Sequence, residues 1–355
     1  MRLERVELET VRGRLSRKAA AGRRRIWERS GIRIRLWADG RAGLGEAAPL
    51  PGYSPDTWDD VCAALAAFSS LECRLDLSVS AEACVNEALR DVPLELPSAR
   101  FGLETALLDL LSCLRSEPVH HLLVPATVDE SAWLGVVGLV DAEDPAQALT
   151  EARRALELGA AGLKYKLAGD RGWAHVEAAR RALVSAPIRL DFNQSLPPES
   201  VAEALSRAAD LDVELVEEPS AVSMKEASSR PACPVFADES LRVESSRQAL
   251  PGRIADGALA GAVLKPALLG GLFACVELAR QVREAGGDVF VSHLFDGPVA
   301  RAATAELALA LGGPLAHGLA PHVGLPIWPA FEPHAIDGYQ LRRHEHPGLG
   351  TPVKP

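Results

Sequence analysis

The chain has 355 residues, 48% of them apolar, with a formal charge of −10. That is enough apolar material for a large core, and the acidic balance argues against nucleic acid as a partner. No run of about 18 uncharged apolar residues occurs and no apolar signal segment is present, so a soluble, cytoplasmic protein without membrane contact is expected.

The first 42 residues run against the average charge, with "RGRLSRK" and "GRRRIWERSGIRIRLW". Glu4, Glu7, Glu9 and Glu28 interrupt this basic stretch, which reads as a solvated pair of strands rather than a targeting peptide. "RVELETV" and "GIRIRLWADG" alternate apolar and polar residues, as half-buried strands do, and "ADG" reads as a hairpin turn. The Gly- and Pro-rich loop "GLGEAAPLPGYSPDTW" follows. Residues 56 to 115 carry helical spacing in "DTWDDVCAALAAF", "SAEACVNEAL" and "SARFGLETALLDLLSCL". Beyond residue 133, short apolar runs alternate with Ala-rich helical segments. The runs are "WLGVVGLV", "AGLKYKL", "PIRLDFN", "VELVEEP", "VFADES", "GAVLKP" and "DVFVSHLF". Alternation of this kind predicts parallel strands joined by helices, and seven units favour a barrel over an open sheet. No GxGxxG stands at a strand–helix junction, so a dinucleotide fold has no support. The proline-rich tail from "GLPIWP" onward has no helical period and is expected to pack back on the N-terminal region. Cys62, Cys73, Cys84, Cys113, Cys233 and Cys275 form no CxxC pair and read as buried thiols.

The unusual polar residues fall at the C-terminal ends of the expected strands, where parallel barrels carry their active sites. Lys164 and Lys166 end one strand; Arg189, Asp191 and Asn193 the next. Glu217 and Glu218 follow in "LVEEP", Asp238 and Glu239 in "FADES", and Lys265 closes "VLKP". Alone, K-x-K marks an exposed or edge strand, "EEP" a charged loop start and "DES" a helix cap. Their order gives them weight: Asp191, Glu217, Asp238 and Lys265 stand 26, 21 and 27 residues apart, one per strand–helix unit. Residues i and i+2 of a strand share a face, so Lys164 and Lys166 point one way, as do Arg189, Asp191 and Asn193. Three carboxylates from three strands would bind Mg²⁺, or Mn²⁺ in its place, and leave positions open for a small-molecule carboxylate substrate. A lysine acts as a base only when neutral. A second ammonium, a dication and desolvation can bring its pKa from about 10.4 to roughly 7–8.

This constellation resembles the muconate-lactonizing-enzyme subgroup of the enolase superfamily. The resemblance covers nearly the whole chain and implies a (β/α)7β TIM-like barrel with an α+β capping domain. Residues 1–115 would form the cap, 116–325 the barrel, and 326–355 would return to the cap. It implies Asp191, Glu217 and Asp238 as metal ligands, Lys166 as acid/base, Lys265 as the opposing lysine, and Lys164 as the companion that tunes Lys166. The ligand role falls on the first Glu of "EEP", not on Glu218. Within the subgroup, "GLGEAAPLPGYSPDTW" and "RLDFNQ" are similar to segments of o-succinylbenzoate synthases. Arg189, Asn193 and Glu239 would then support the site, Gly52 and Tyr53 would exclude water and meet the substrate, and Ser292 would contact it. Two segments depart from relatives: "VSHLFDGPVA", which leaves His293 and Asp296 unassigned, and "YKLAGD".

The resemblance implies a lyase that dehydrates 2-succinyl-6-hydroxy-2,4-cyclohexadiene-1-carboxylate to o-succinylbenzoate in menaquinone synthesis. Lys166 would take the proton α to the ring carboxylate and return it to the departing hydroxyl, while Lys265 stabilises charge and lies against the ring. An N-acylamino acid racemase or dipeptide epimerase on the same scaffold is the alternative, and a non-catalytic binding barrel a second. None of the nine histidines stands at HExxH-like spacing, and all, His120, His121, His317 and His322 among them, read as surface or core residues.

Overall fold

A computed structural model describes every residue except 22–23, 125–132, 143, 168–171, 222–229, 321–327 and 353–355. His322 and the Ala168–Gly169–Asp170 part of "YKLAGD" therefore lie outside the described residues. The chain opens with an antiparallel sheet of β1 (Arg5–Ala21), β2 (Arg24–Ala38) and β3 (Arg41–Ala47), in that order. Alternation sets the faces of β2: Ile32, Ile34, Leu36 and Ala38 are buried, with half-buried Arg33, Arg35 and Trp37 between them. β1 runs past its alternating segment and takes in the basic stretch as an edge strand. The "ADG" turn joins β2 to β3, with φ of 50° at Asp39 and 68° at Gly40, the two positive values that a type I′ hairpin requires.

Three helices follow, α1 (Trp58–Ser69), α2 (Ala81–Ala88) and α3 (Pro97–Arg115). Thr57 and Asp60 close a capping box on α1. Asp56 caps α3, accepting from Ser98 N at 2.8 Å and Ser98 Oγ at 2.7 Å. α3 is buried on nearly every side because β3 lies directly against it. A Cβ at Gly45 would stand 2.0 Å from the Gly102 carbonyl oxygen, so only glycine allows this approach. The short α4 (Val119–Leu123) and β4 (Leu134–Gly135) lead onward.

All seven apolar runs become strands: β5 (Val137–Val140), β6 (Gly162–Lys166), β7 (Ile188–Asp191), β8 (Leu215–Glu217), β9 (Val235–Ala237), β10 (Gly261–Leu264) and β11 (Asp288–Val291). They form one parallel sheet in chain order. Among the described residues, helices α5 (Pro145–Glu157), α6 (Trp173–Ala182) and α7 (Val201–Asp210) follow β5, β6 and β7, α8 (Glu244–Ala255) follows β9, α9 (Pro266–Leu269) and α10 (Leu272–Glu284) follow β10, and α11 (Pro298–Leu311) follows β11. The sheet curls until residues 317 and 318 bridge both of its edges. His317 N donates to Gly135 O and Gly318 N to Val291 O, each at 2.8 Å. Burial pushes the His317 pKa down to about 3, and its neutral Nδ1 accepts from Val291 N at 3.1 Å. Leu215, Phe236, Val263 and Phe290 fill the lower interior.

The C-terminal segment pairs β12 (Phe331–Pro333) with β15 (Gly350–Pro352), and β13 (Ile336–Asp337) with β14 (Gln340–Leu341), which also pairs with β4. It reaches α3 as well: Gly348 N donates to Ser112 Oγ and Leu349 N to Asp109 Oδ1, both at 2.7 Å. All six cysteines are free thiols, four of them buried. Among the described residues, no helix is long and apolar enough to cross a membrane.

Candidate active site

Main-chain pairing lines up the acidic residues. Lys166 pairs with Asp191 and Asp191 with Glu217, across β6, β7 and β8. Asp238 follows β9 and Lys265 follows β10. The period of two turns Lys164 and Lys166 to one face, with Leu163 and Tyr165 buried on the other. A cavity at this end of the sheet is lined by Lys164, Lys166, Asp191, Asn193, Lys265, Ser292 and Tyr53, with apolar walls that include Leu50, Leu294 and Phe295.

The three lysines differ in partners. Lys164 Nζ lies 2.5 Å from Glu217 Oε2 and 2.9 Å from Asp191 Oδ2. Burial works against its charge, but Asp191 and Glu217 outweigh burial and raise its pKa. Lys265 Nζ lies 2.5 Å from Asp238 Oδ2 and 3.3 Å from the Tyr53 hydroxyl. Its pKa is raised too, with Asp238 and Glu239 outweighing burial. Lys166 goes the other way. Burial lowers its pKa, Lys164 and Lys265 repel its charge, and Asp191 opposes them only in part. Its Nζ stands 5.6 Å from the centre of the Phe295 ring. One amine is thus pushed toward neutrality between two that are held charged.

Carboxylate oxygens of Asp191, Glu217 and Asp238 lie within 4.8 Å of one another. Glu217 Oε1 and Asp238 Oδ1 are buried and accept no hydrogen bond from the described residues. An unpaired buried carboxylate oxygen is costly, and a hard divalent cation is the partner that an all-oxygen set suits. The donor set fits such an ion. The cluster is not uniform: burial raises the Glu217 pKa, with Asp191 and Asp238 adding to it, whereas Lys164, Lys166 and Lys265 outweigh burial and hold Asp191 well below the usual carboxylate range.

Around this centre, Glu239 Oε1 accepts from Asn193 Nδ2 at 2.8 Å and from the Tyr53 hydroxyl at 3.2 Å. Burial and Asp238 push the Glu239 pKa up to about 8. Glu218 turns away from the cavity and clasps the backbone, accepting from Asp238 N at 2.7 Å and Ser240 Oγ at 3.0 Å. Ser292 donates to the Gly318 carbonyl at 3.2 Å. Gly52 sits at an exposed turn outside the lining residues. Arg189 corrects the expectation that it shares the mouth with Asp191 and Asn193. It keeps the inward face but lies two residues deeper. Its guanidinium is 4.6 Å from the Phe290 ring and bonds Glu214 and the Ala316 carbonyl.

Sequence reasoning passed over Arg29, Glu46 and the part played by Asp296. Arg29 is buried and donates to the carbonyls of Pro49 at 2.7 Å, Leu294 at 3.1 Å and Phe295 at 3.1 Å, and also to that of Ala48. Asp296 Oδ1 lies 3.8 Å from its Nη2, and Glu46 accepts from Gly297 N at 2.5 Å. This buried network joins the loop after β3 to the loop after β11, and both loops line the cavity. His293 is tied into the second loop: its Nε2 bonds the Ala320 carbonyl at 3.0 Å, and its Nδ1 accepts from Asp296 N at 3.3 Å.

Comparison with known proteins gives two domain matches. The family described as "Enolase C-terminal domain-like" matches residues 147–355, and "MenC, N-terminal domain" matches residues 20–110. An aromatic dipeptide epimerase of Herpetosiphon aurantiacus is 28% identical over 291 residues, 79% of each chain. An o-succinylbenzoate synthase of Yersinia enterocolitica is 25% identical over 290 residues, 80% of each chain. The solved dipeptide epimerase from Methylococcus capsulatus, complexed with Mg and the dipeptide L-Arg-D-Lys, superposes with a TM-score of 0.85 at 25% identity, covering 99% of this chain and 100% of its own. With the barrel-side match alone spanning more than half of its length, the chain belongs to the enolase superfamily.

Proposed function

We propose that the chain is a Mg²⁺-dependent o-succinylbenzoate synthase, a lyase that dehydrates 2-succinyl-6-hydroxy-2,4-cyclohexadiene-1-carboxylate in menaquinone synthesis. In this reading residues 1–115 and 326–355 cap a (β/α)7β barrel of residues 116–325, and the bridges through His317 and Gly318 support its closure. Asp191, Glu217 and Asp238 hold the ion, which would neutralise charge building on the substrate carboxylate. Lys166, pushed toward its neutral form, takes the proton from the α-carbon and gives it to the leaving hydroxyl on the same face. Lys164 stays charged against Asp191 and Glu217, and its repulsion adds to burial in lowering the Lys166 pKa. Tyr53, Leu50, Leu294 and Phe295 exclude water, and Asn193 and Glu239 fix Tyr53 and the floor of the cavity. Ser292 lies within reach of substrate.

The observation that carries this reading is the match of residues 20–110 to the MenC N-terminal domain. Lys265, paired with Asp238 at 2.5 Å, suits electrostatic stabilisation of a developing anion. An epimerase also sets one charged lysine against one neutral lysine at each turnover, so the lysines serve either chemistry. The epimerase reading rests on the dipeptide epimerase relatives. Incubation with the cyclohexadiene substrate and Mg²⁺ should give the aromatic product, seen by absorbance and mass. Absence of conversion, together with deuterium exchange at the α-carbon of dipeptides or N-acylamino acids, would replace this reading with the epimerase.

A further inference from the structure

Five of the nine histidines meet outside the cavity, where α4, α11 and the C-terminal segment join. At the centre is Glu306 of α11, fully buried. His120 Nδ1 lies 2.7 Å from Glu306 Oε2, and His344 Nε2 lies 2.7 Å from Glu306 Oε1. The ring of His334 is centred 5.3 Å from that of His344 and 5.1 Å from that of His346. His346 is exposed, so imidazoles run in a line from solvent to the buried carboxylate.

Each Glu306 oxygen serves one imidazole, and Oε2 also accepts from His120 N at 3.1 Å. Donor atoms of His120, Glu306 and His344 fall within 4.8 Å of one another. A tetrahedral Zn²⁺ with bonds of about 2.0–2.2 Å holds its ligand atoms roughly 3.4 Å apart. The present 2.7 Å contacts need only open slightly to admit it. Imidazole nitrogens suit zinc, cobalt or nickel, whereas the all-oxygen row of the active site suits magnesium. An entering ion displaces the protons that now bridge each ring nitrogen to Glu306. Among the described residues His344 Nδ1 is buried without a hydrogen-bond partner, so the Glu306 contact and the neighbouring imidazoles orient that ring.

We propose that His120, Glu306 and His344 form a second metal site, for a structural divalent transition metal of the zinc class, with His334 beside its open position. The ion joins α4 and α11 to the C-terminal segment, whose own strands are only two or three residues long.

The test uses untagged, metal-stripped full-length protein in excess Mg²⁺, which occupies the carboxylate row. Zn²⁺ is titrated by calorimetry and Co²⁺ by visible absorption. One equivalent of Zn²⁺, the strong absorption bands of tetrahedral Co²⁺ and a melting temperature that rises with Zn²⁺ are expected. His344→Gln and His120→Asn should lose all three, while Asp191→Asn, which alters only the carboxylate row, should keep them. No equivalent of Zn²⁺ bound by the wild-type chain at micromolar concentration overturns the proposal, whether or not the variants fold. So does binding that survives in His344→Gln.

Discussion

Replacing Arg29 by Met removes a side chain that bonds both loops over the cavity. Its guanidinium serves the Ala48 and Pro49 carbonyls on one side and those of Leu294 and Phe295 on the other. Met keeps much of the apolar volume, so the loss is of charge and hydrogen bonds. Burial holds Glu46 largely protonated, with its pKa pushed up to about 8, but Asp296 is left buried without its cation. Breaking such a pair costs about 3–5 kcal/mol. For 355 residues the entropy of unfolding is about 0.7 kcal/mol/K, so the melting temperature should fall by about 4–7 °C. Differential scanning calorimetry reads this directly. Steady-state kinetics should show KM rising more than kcat falls, because Leu50, Tyr53, Leu294 and Phe295 line the cavity. Arg29→Lys should not restore either value, since one ammonium cannot reach the carbonyls that a planar fork spans. A fall below about 1 °C with an unchanged KM would refute this account of the clamp.

Lys166→Ala should lower kcat by about a thousandfold with no change in the melting curve, and activity within tenfold of wild type removes Lys166 from the base role. Asp238→Asn should weaken Mg²⁺ binding by about tenfold or more in calorimetry; an unchanged affinity makes the ligand assignment wrong. Because the Lys166 pKa is lowered, kcat/KM should climb as pH rises through it, the neutral amine being the active form. Lys164→Met removes a repelling charge and leaves Asp191 less neutralised. Both effects raise the Lys166 pKa, so the climb should move to higher pH, and a stationary profile contradicts the tuning role. Asp56→Ala strips the cap from α3 and should cost about 1–2 kcal/mol in denaturant unfolding.

The seven strands could be read from the chain because each is a short apolar run, six of them closed by a charged residue and β11 by Ser292. The shared face of Lys164 and Lys166 follows from alternation alone. Alternation also gave the inward face of Arg189, but depth along a strand is a tertiary property, and two residues put its guanidinium against Phe290 instead of the cavity. Arg29 sits in an arginine-rich stretch where nothing local separates a buried cation from solvated ones. Glu306 lies inside "ATAELALAL", which reads as an apolar helix with one charge. Its partner His120 is 186 residues away and His344 38 residues away, so no spacing rule joins them. Local pattern carried the elements and the acidic row; contacts across the chain carried the loop clamp and the histidine cluster.

The places of Lys166, Asp191 and Glu217 are set by hydrogen bonds between neighbouring backbones, not by the side chains themselves. Exchanging one member therefore leaves the others where they stand. The rim around Leu50, Tyr53 and Phe295 comes from separate loops. Evolution, or an engineer, can recut the rim for a new substrate and leave the chemical engine beneath it untouched.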